Sequence, residues 1–184
     1  ISRLMSAWAE NRNGGEKSAP RELESLETMK AGLDAYRGAG AGMGMTYLSF
    51  NLAEDYLALD QKDSALRELE SGWDALQATG ERFFESEYYR LHGLICLDDY
   101  RLSDEQEQLD SAGKLLRTAV STAQKNESKA LELRAANDLA KVLALQSNPD
   151  EAAGLLAGVI ERFAEKDNSR DFARTEKMLK KVKK

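Results

Sequence analysis

One cysteine, one histidine and two prolines are spread over 184 residues. A lone Cys96 cannot close a disulfide within the chain, and the absence of a pairing partner points to a reducing compartment, the cytoplasm. His92 lies four residues before Cys96, so on a helix the two share a face. A zinc site needs about three or four protein ligands, and a cysteine nucleophile needs a base and an orienting group. No second His or Cys exists to complete either set, so both residues read as core or lining side chains. No stretch approaches the roughly 18 apolar residues of a membrane-spanning helix. Nor does a charged-then-apolar leader open the chain. Because Ile1 already stands in an expected helix, the chain reads as a piece of a longer protein. β-branched residues never gather into a strand-like run. Positive charge is also in deficit: 26 Lys and Arg face 32 Asp and Glu, for a net charge of −6. Such a chain repels a phosphate backbone, which argues against nucleic acid as a partner. The basic segment 177–184 falls in the last turns of an expected helix, where cations offset the negative end of the dipole.

What remains is a helical vocabulary. The chain is rich in Ala, Leu, Glu, Lys, Arg and Gln, with 42% hydrophobic and 32% charged residues, a balance proper to a globular domain. Leu48, Leu52, Tyr56 and Leu59 recur at helical steps. So do Leu66, Leu69, Trp73 and Leu76, and again Leu131, Ala135, Leu139, Val142 and Leu143. Residues 31–40 and 71–80 match at an offset of 40, with Gly32, Asp34, Ala35 and Gly40 answered by Gly72, Asp74, Ala75 and Gly80. That is a repeated helix ending, and the offset falls in the range of helical repeat units. Asn148-Pro149 supplies a helix start, and Ser103 to Gln106 reads as a capping box. The spacing predicts nine helices: 1–11, 20–38, 44–60, 63–79, 82–99, 104–126, 128–146, 149–165 and 169–183. Short turns make neighbours antiparallel, and hairpins that cannot bury both faces alone must stack.

In that frame the chain resembles the tetratricopeptide repeat (TPR). Across 46–79, Leu52, Ala53, Tyr56, Ala65, Leu69 and Gly72 fall on repeat positions 7, 8, 11, 20, 24 and 27; Leu139, Ala140, Leu143, Ala152, Leu156 and Val159 fall on the same six. The third pair places Tyr89 and Gly93, and an extra loop over about 98–107 delays its second helix. The resemblance implies an all-α superhelix of stacked antiparallel hairpins, with repeats at about 1–40, 44–80, 82–126 and 128–166. A capping helix would follow over 169–184, its Phe172, Met178, Leu179 and Val182 covering the open end. A narrower likeness runs through 75–90, 128–136 and 152–163. It is to the C-terminal repeats of bacterial multidomain regulators, which carry a class III adenylate/guanylate cyclase or DNA-binding domain and a signalling ATPase module upstream. None of the cyclase metal carboxylates or ATPase phosphate loops stands in this chain, so any such activity would belong to a missing N-terminal part.

Other motifs dissolve on inspection. The glycines from Gly38 to Gly44 fit neither G-x-G-x-x-G nor the P-loop spacing, and they follow a helix, not a strand. Glu54-Asp55 and Asp98-Asp99 are adjacent acids that point apart on a helix. Trp8, Trp73, Phe83, Phe84, Tyr88 and Tyr89 lack the basic groove that base stacking requires, and their spacing suits core packing. With no converging catalytic set, no cofactor motif and no metal ligands, the expectation is a non-enzyme.

One surface stands out by the repeat's geometry. Positions 2, 5, 6 and 9 of each first helix face the concave side of a stack. Here they supply Tyr47, Phe50, Asn51 and Glu54, then Glu87 and Arg90, then Arg134, Asn137 and Lys141. Phe50 and Glu54, and Arg90 and Leu94, stand where the carboxylate-clamp version wants Lys and Asn. The expected function is a regulatory interaction module of a bacterial signalling protein. Its groove would hold a peptide, a partner protein or another domain of the same parent chain, and an exposed N-terminal end could drive self-association. The alternatives are a small-molecule or signalling-peptide sensor and a helical-repeat nucleic-acid binder.

Overall fold

The computed structural model describes residues 19–40, 42, 44–163 and 169–183. Among them are eight α-helices and no strand: α1 (Ala19–Gly38), α2 (Met45–Ala58), α3 (Lys62–Thr79), α4 (Glu85–Ser103), α5 (Gln106–Lys125), α6 (Lys129–Leu145), α7 (Pro149–Arg162) and α8 (Arg170–Val182). The all-α class read from the sequence is the class observed. The helix expected over 1–11 lies outside the described residues.

The repeated glycines do the same backbone work twice. Gly80 closes α3 at φ 70°, its N–H donating to the Leu76 carbonyl at 2.9 Å. Gly40, its counterpart at the offset of 40, sits after α1 at φ 71° and donates to the Arg37 carbonyl at 2.9 Å. Only glycine takes this left-handed conformation without a Cβ penalty. Pro149 opens α7 at a position whose N–H has no helical partner in any case.

The expected loop over 98–107 is not there. α4 runs on to Ser103 and α5 starts at Gln106, leaving only Asp104 and Glu105 between helices of 19 and 20 residues. Asp104 turns the chain by entering the left-handed region at φ 57°, which Asp tolerates better than most residues. Ser103 is therefore no cap for α5: its hydroxyl donates to the Asp99 carbonyl at 3.0 Å and accepts from the Glu105 N–H at 3.3 Å. Asp60, Glu127 and Ser147 turn the chain after α2, α5 and α6 in the same left-handed way.

The chain forms two compact units, Ile1–Glu81 and Arg82–Lys184. In the first, α2 packs against both α1 and α3. Leu26, Met29 and Leu33 of α1 meet Met45, Leu52 and Tyr56 of α2 and Ala65 of α3. Gly72 lets α3 approach closely, since a Cβ built there would come within 2.5 Å of the Phe50 ring. In the second unit each helix from α4 to α8 packs on the next, and α6 also touches α4 and α8. Leu97, Leu109, Leu116, Leu133, Leu139, Leu143 and Leu156 form the centre of its core. A Cβ at Gly93 would lie 2.7 Å from Leu116 Cγ. Along α8, Phe172 is buried beside Phe163, with ring centroids 5.8 Å apart. Met178, Leu179 and Val182 are partly buried against the same cluster.

The packing sets three expectations for stability. Gly93→Ala must displace the branch point of a fully buried leucine, so it destabilises by about 1–2 kcal/mol despite the better helix former. Gly154→Ala, with nothing within 4 Å of the new methyl, stabilises by about 0.5–1 kcal/mol. Urea midpoints of the two variants shifting in the same direction would contradict this. Deleting 169–184 uncovers α6 and α7 and lowers Tm by at least about 5 °C, measured by calorimetry.

Candidate functional site

The expected groove residues are not all surface residues. In the first unit Phe50 and Asn51 are buried, while Tyr47 and Glu54 are half-buried. Phe50 points at the Gly72 notch, so it packs between α2 and α3. The Asn51 amide donates to the Tyr47 carbonyl at 2.8 Å. In the second unit Glu87, Arg90 and Asn137 are buried, and Arg134 and Lys141 are half-buried.

The structure brings the charged members of the second unit into one cluster. Glu87 and Arg90 stand one turn apart on α4, and the Arg90 guanidinium grips Glu87 with two hydrogen bonds of 2.9 and 2.8 Å. Its Nη1 reaches Asp138 of α6 at 2.9 Å. Arg134 of α6 approaches Glu87 at 3.1 Å, and Lys141 donates to Asp138 at 2.7 Å. Five charges thus interlock: three cations and two carboxylates. Burial pushes the Asp138 carboxyl up, but the Arg90 and Lys141 charges outweigh it and hold the group below its ordinary value of 3.8. Asn137, one residue earlier, donates to the Leu133 carbonyl at 2.8 Å and to Thr175 Oγ1 of α8 at 2.7 Å. Its Oδ1 has no hydrogen-bond partner among the described residues.

Asp138 was absent from the candidate set, although it occupies repeat position 6 on the same helix. The first unit holds a second network that the sequence did not signal. Arg37, at the end of α1, has Nη2 at 2.7 Å from Glu68 Oε2, 2.8 Å from Ser71 Oγ and 3.0 Å from Ser49 Oγ. It ties α1, α2 and α3 together through a carboxylate whose side chain is 7% exposed. Lys30 stands 3.7 Å from the same Glu68. Hydrogen bonding to Asp34 holds the Lys30 ammonium above its usual value, and burial pushes the Tyr56 phenol up.

His92 and Cys96 share α4 as expected. His92 is half-buried against the Tyr88 ring, centroids 4.7 Å apart, and Cys96 packs partly buried against the core. Among the described residues no group of three or more His, Cys, Asp or Glu could hold a metal ion. No described helix is long and apolar enough to cross a membrane. An open cleft of about 570 Å³ lies at one edge of the second unit, lined by Gln124, Glu127, Lys129, Glu132 and Arg162. Glu132 accepts there from both Gln124 and Arg162.

Two crystal structures of the nearly identical TPR-like repeats of a kinesin light chain from Podosopora anserina superpose on 98% of this chain and 83% of theirs, with TM-scores of 0.61 and 0.58. The fold is TPR-like. Identity to them is 17% and 18%, so the likeness is one of fold. No protein-family model and no curated protein matches the chain. Small residues at the TPR-like crossings, Gly72 and Gly93 among them, are the positions where the sequence resemblance and the packing coincide.

The cluster sets two measurable expectations. Arg90→Met leaves Glu87 and Asp138 buried without their main counter-charge and costs about 3–5 kcal/mol. Because the folded-state pKa of Asp138 is depressed, its contribution is complete above the unfolded value and is lost as pH falls through the folded one, below about pH 4. Asp138→Asn removes that part of the acid dependence. Urea unfolding of both proteins from pH 7 to pH 3 should show the steeper decline in the wild type; parallel curves would exclude the assignment.

Proposed function

We propose that this chain is a protein-interaction module whose docking face in the second unit is the α4–α6 surface. The observation that carries the reading is the pair of oriented cations at the rim of the buried cluster. Arg134 and Lys141 stand two turns apart on α6, each half-buried, each satisfying one carboxylate beneath it. The two side chains set a pair of cations on this surface, which favours an acidic partner segment. The TPR-like fold supports a protein or peptide partner, because stacked hairpins offer an extended face and few enclosed cavities. Glu87 and Asp138 then act from below, fixing the two half-buried cations in place.

The sequence likeness to bacterial regulators supports a wider setting. In it the module sits downstream of cyclase and ATPase domains in the cytoplasm and transmits partner binding to them, without catalysis of its own. A second reading, a small-molecule sensor, has the cleft around Glu132 in its favour.

Selection of peptides from a random displayed library against the chain separates the two. Recovered peptides should be acidic, and Lys141→Glu with Arg134→Gln should weaken them by at least about tenfold, the effect of losing about 1.4 kcal/mol, with helicity unchanged. Peptides of no charge preference, or unchanged affinity, would refute the α4–α6 face. Thermal stabilisation by a small polar molecule, abolished by Arg162→Ala, would instead favour the sensor.

A further inference from the structure

Two other surfaces of the second unit carry opposite charge and take no part in the reading above. The first is the tip of the α4–α5 hairpin. Leu97 and Leu109 are the last fully buried side chains on its two helices, and every residue from Arg101 to Glu107 is exposed. Leu102 is 84% exposed, and Asp104, Glu105 and Glu107 follow it. These three acids form no ion pair among the described residues. A single exposed leucine is ordinary. Set at the end of a hairpin that outruns its own core and followed by carboxylates, it forms an apolar point in an acidic knob.

The second surface is the outward side of α8. Phe172 and Thr175 face the core. At helical spacings on the other side lie Arg174, Lys177, Lys180 and Lys181, all exposed. None of the four forms an ion pair among the described residues. Ala173, also exposed, is the apolar residue on that face. Seven cations and two acids between Arg170 and Lys184 give this segment +5, which leaves −11 on the rest of a chain of net charge −6. Compensation of one helix dipole, equivalent to about half a charge, does not call for so many cations.

We propose that the outward face of α8 receives the α4–α5 tip of a second copy of this chain. The cations meet Asp104, Glu105 and Glu107, and Leu102 comes to rest against Ala173. The tip is not seated in its own molecule, as the exposure of Leu102 shows. A long polyanion is a poorer occupant, because residues 82–169 of the same unit carry a net charge of −5 and repel it over a Debye length of about 8 Å at physiological salt. The contact joins unlike surfaces, so two copies either exchange tip and face reciprocally about a two-fold axis or run head to tail. Resting on solvent-exposed pairs, it is weak and sensitive to salt.

Sedimentation velocity tests this over a range of concentrations at about 50 mM and about 500 mM salt, chosen to bracket the Debye screening. At low salt the wild-type mass should rise above the monomer's 20.4 kDa with concentration, and at high salt the rise should be lost. A tip variant (Leu102→Ser, Asp104→Asn, Glu105→Gln) and a face variant (Lys177→Gln, Lys180→Gln, Lys181→Gln) should each be monomeric alone with unchanged helicity. Mixed in equal amounts, they should form a dimer and stop there, since one intact tip meets one intact face. A wild type that stays monomeric, a face variant that associates as well as wild type, or a mixture that stays monomeric overturns the proposal. So does a monomeric wild type retained on heparin through the lysines, which would assign the face to a polyanion.

Discussion

The second unit hangs on one buried guanidinium. Arg90 is 3% exposed and holds a carboxylate from its own helix and another from α6. Burying an ion pair costs several kcal/mol per charge in desolvation, and the attraction repays it only when geometry is good and the remaining polar atoms are satisfied. Here both oxygens of Glu87 and one of Asp138 are taken up by Arg90, and Lys141 takes the other. The network therefore adds little net stability over an apolar plug of the same volume, and what it supplies is register. A slip of α6 by one turn, about 5.4 Å, would strand Asp138 and Glu87 among apolar groups. Leucine-on-leucine packing, which tolerates rearrangement, has no comparable penalty.

The first unit solves the same problem with different parts. Arg37 comes from the end of α1 and Glu68 from α3, with Ser49 of α2 between. Again a cation from one helix finds a nearly buried carboxylate on another. Again the neighbouring crossing is kept close by a glycine, Gly72 under Phe50, as Gly93 sits under Leu116 in the second unit. A close crossing leaves no room for water to solvate a stray charge, so close packing and paired charge are demanded together.

The class of fold was legible because its signals are local. Apolar residues at helical steps, small residues at fixed repeat positions and Gly40 and Gly80 after the last turns are all set by sequence neighbours. The α4–α5 turn was not legible. It is made by Asp104 in a left-handed conformation, and an Asp in an acidic run carries no mark of the φ it will adopt. The fate of the groove residues was hidden for a different reason. Glu87 and Arg90 read as solvent-facing because charge at a repeat surface position is normally solvated. α6 packs against α4 and brings Arg90 a partner in Asp138, 48 residues away along the chain, and no local pattern announces a partner at that distance.

That long-range pairing also changes what a docking face can be. A groove lined by freely mobile charges would have to lose their side-chain entropy on binding, up to about 1.5 kcal/mol for each immobilised chain. Arg134 and Lys141 are already held from beneath by Glu87 and Asp138, so that cost is met in folding. The same carboxylates cancel part of their charge, which weakens long-range attraction but leaves close, oriented contacts. A face built this way asks an acidic ligand for close, oriented contacts as well, and one that brings charge without fit gains little from it.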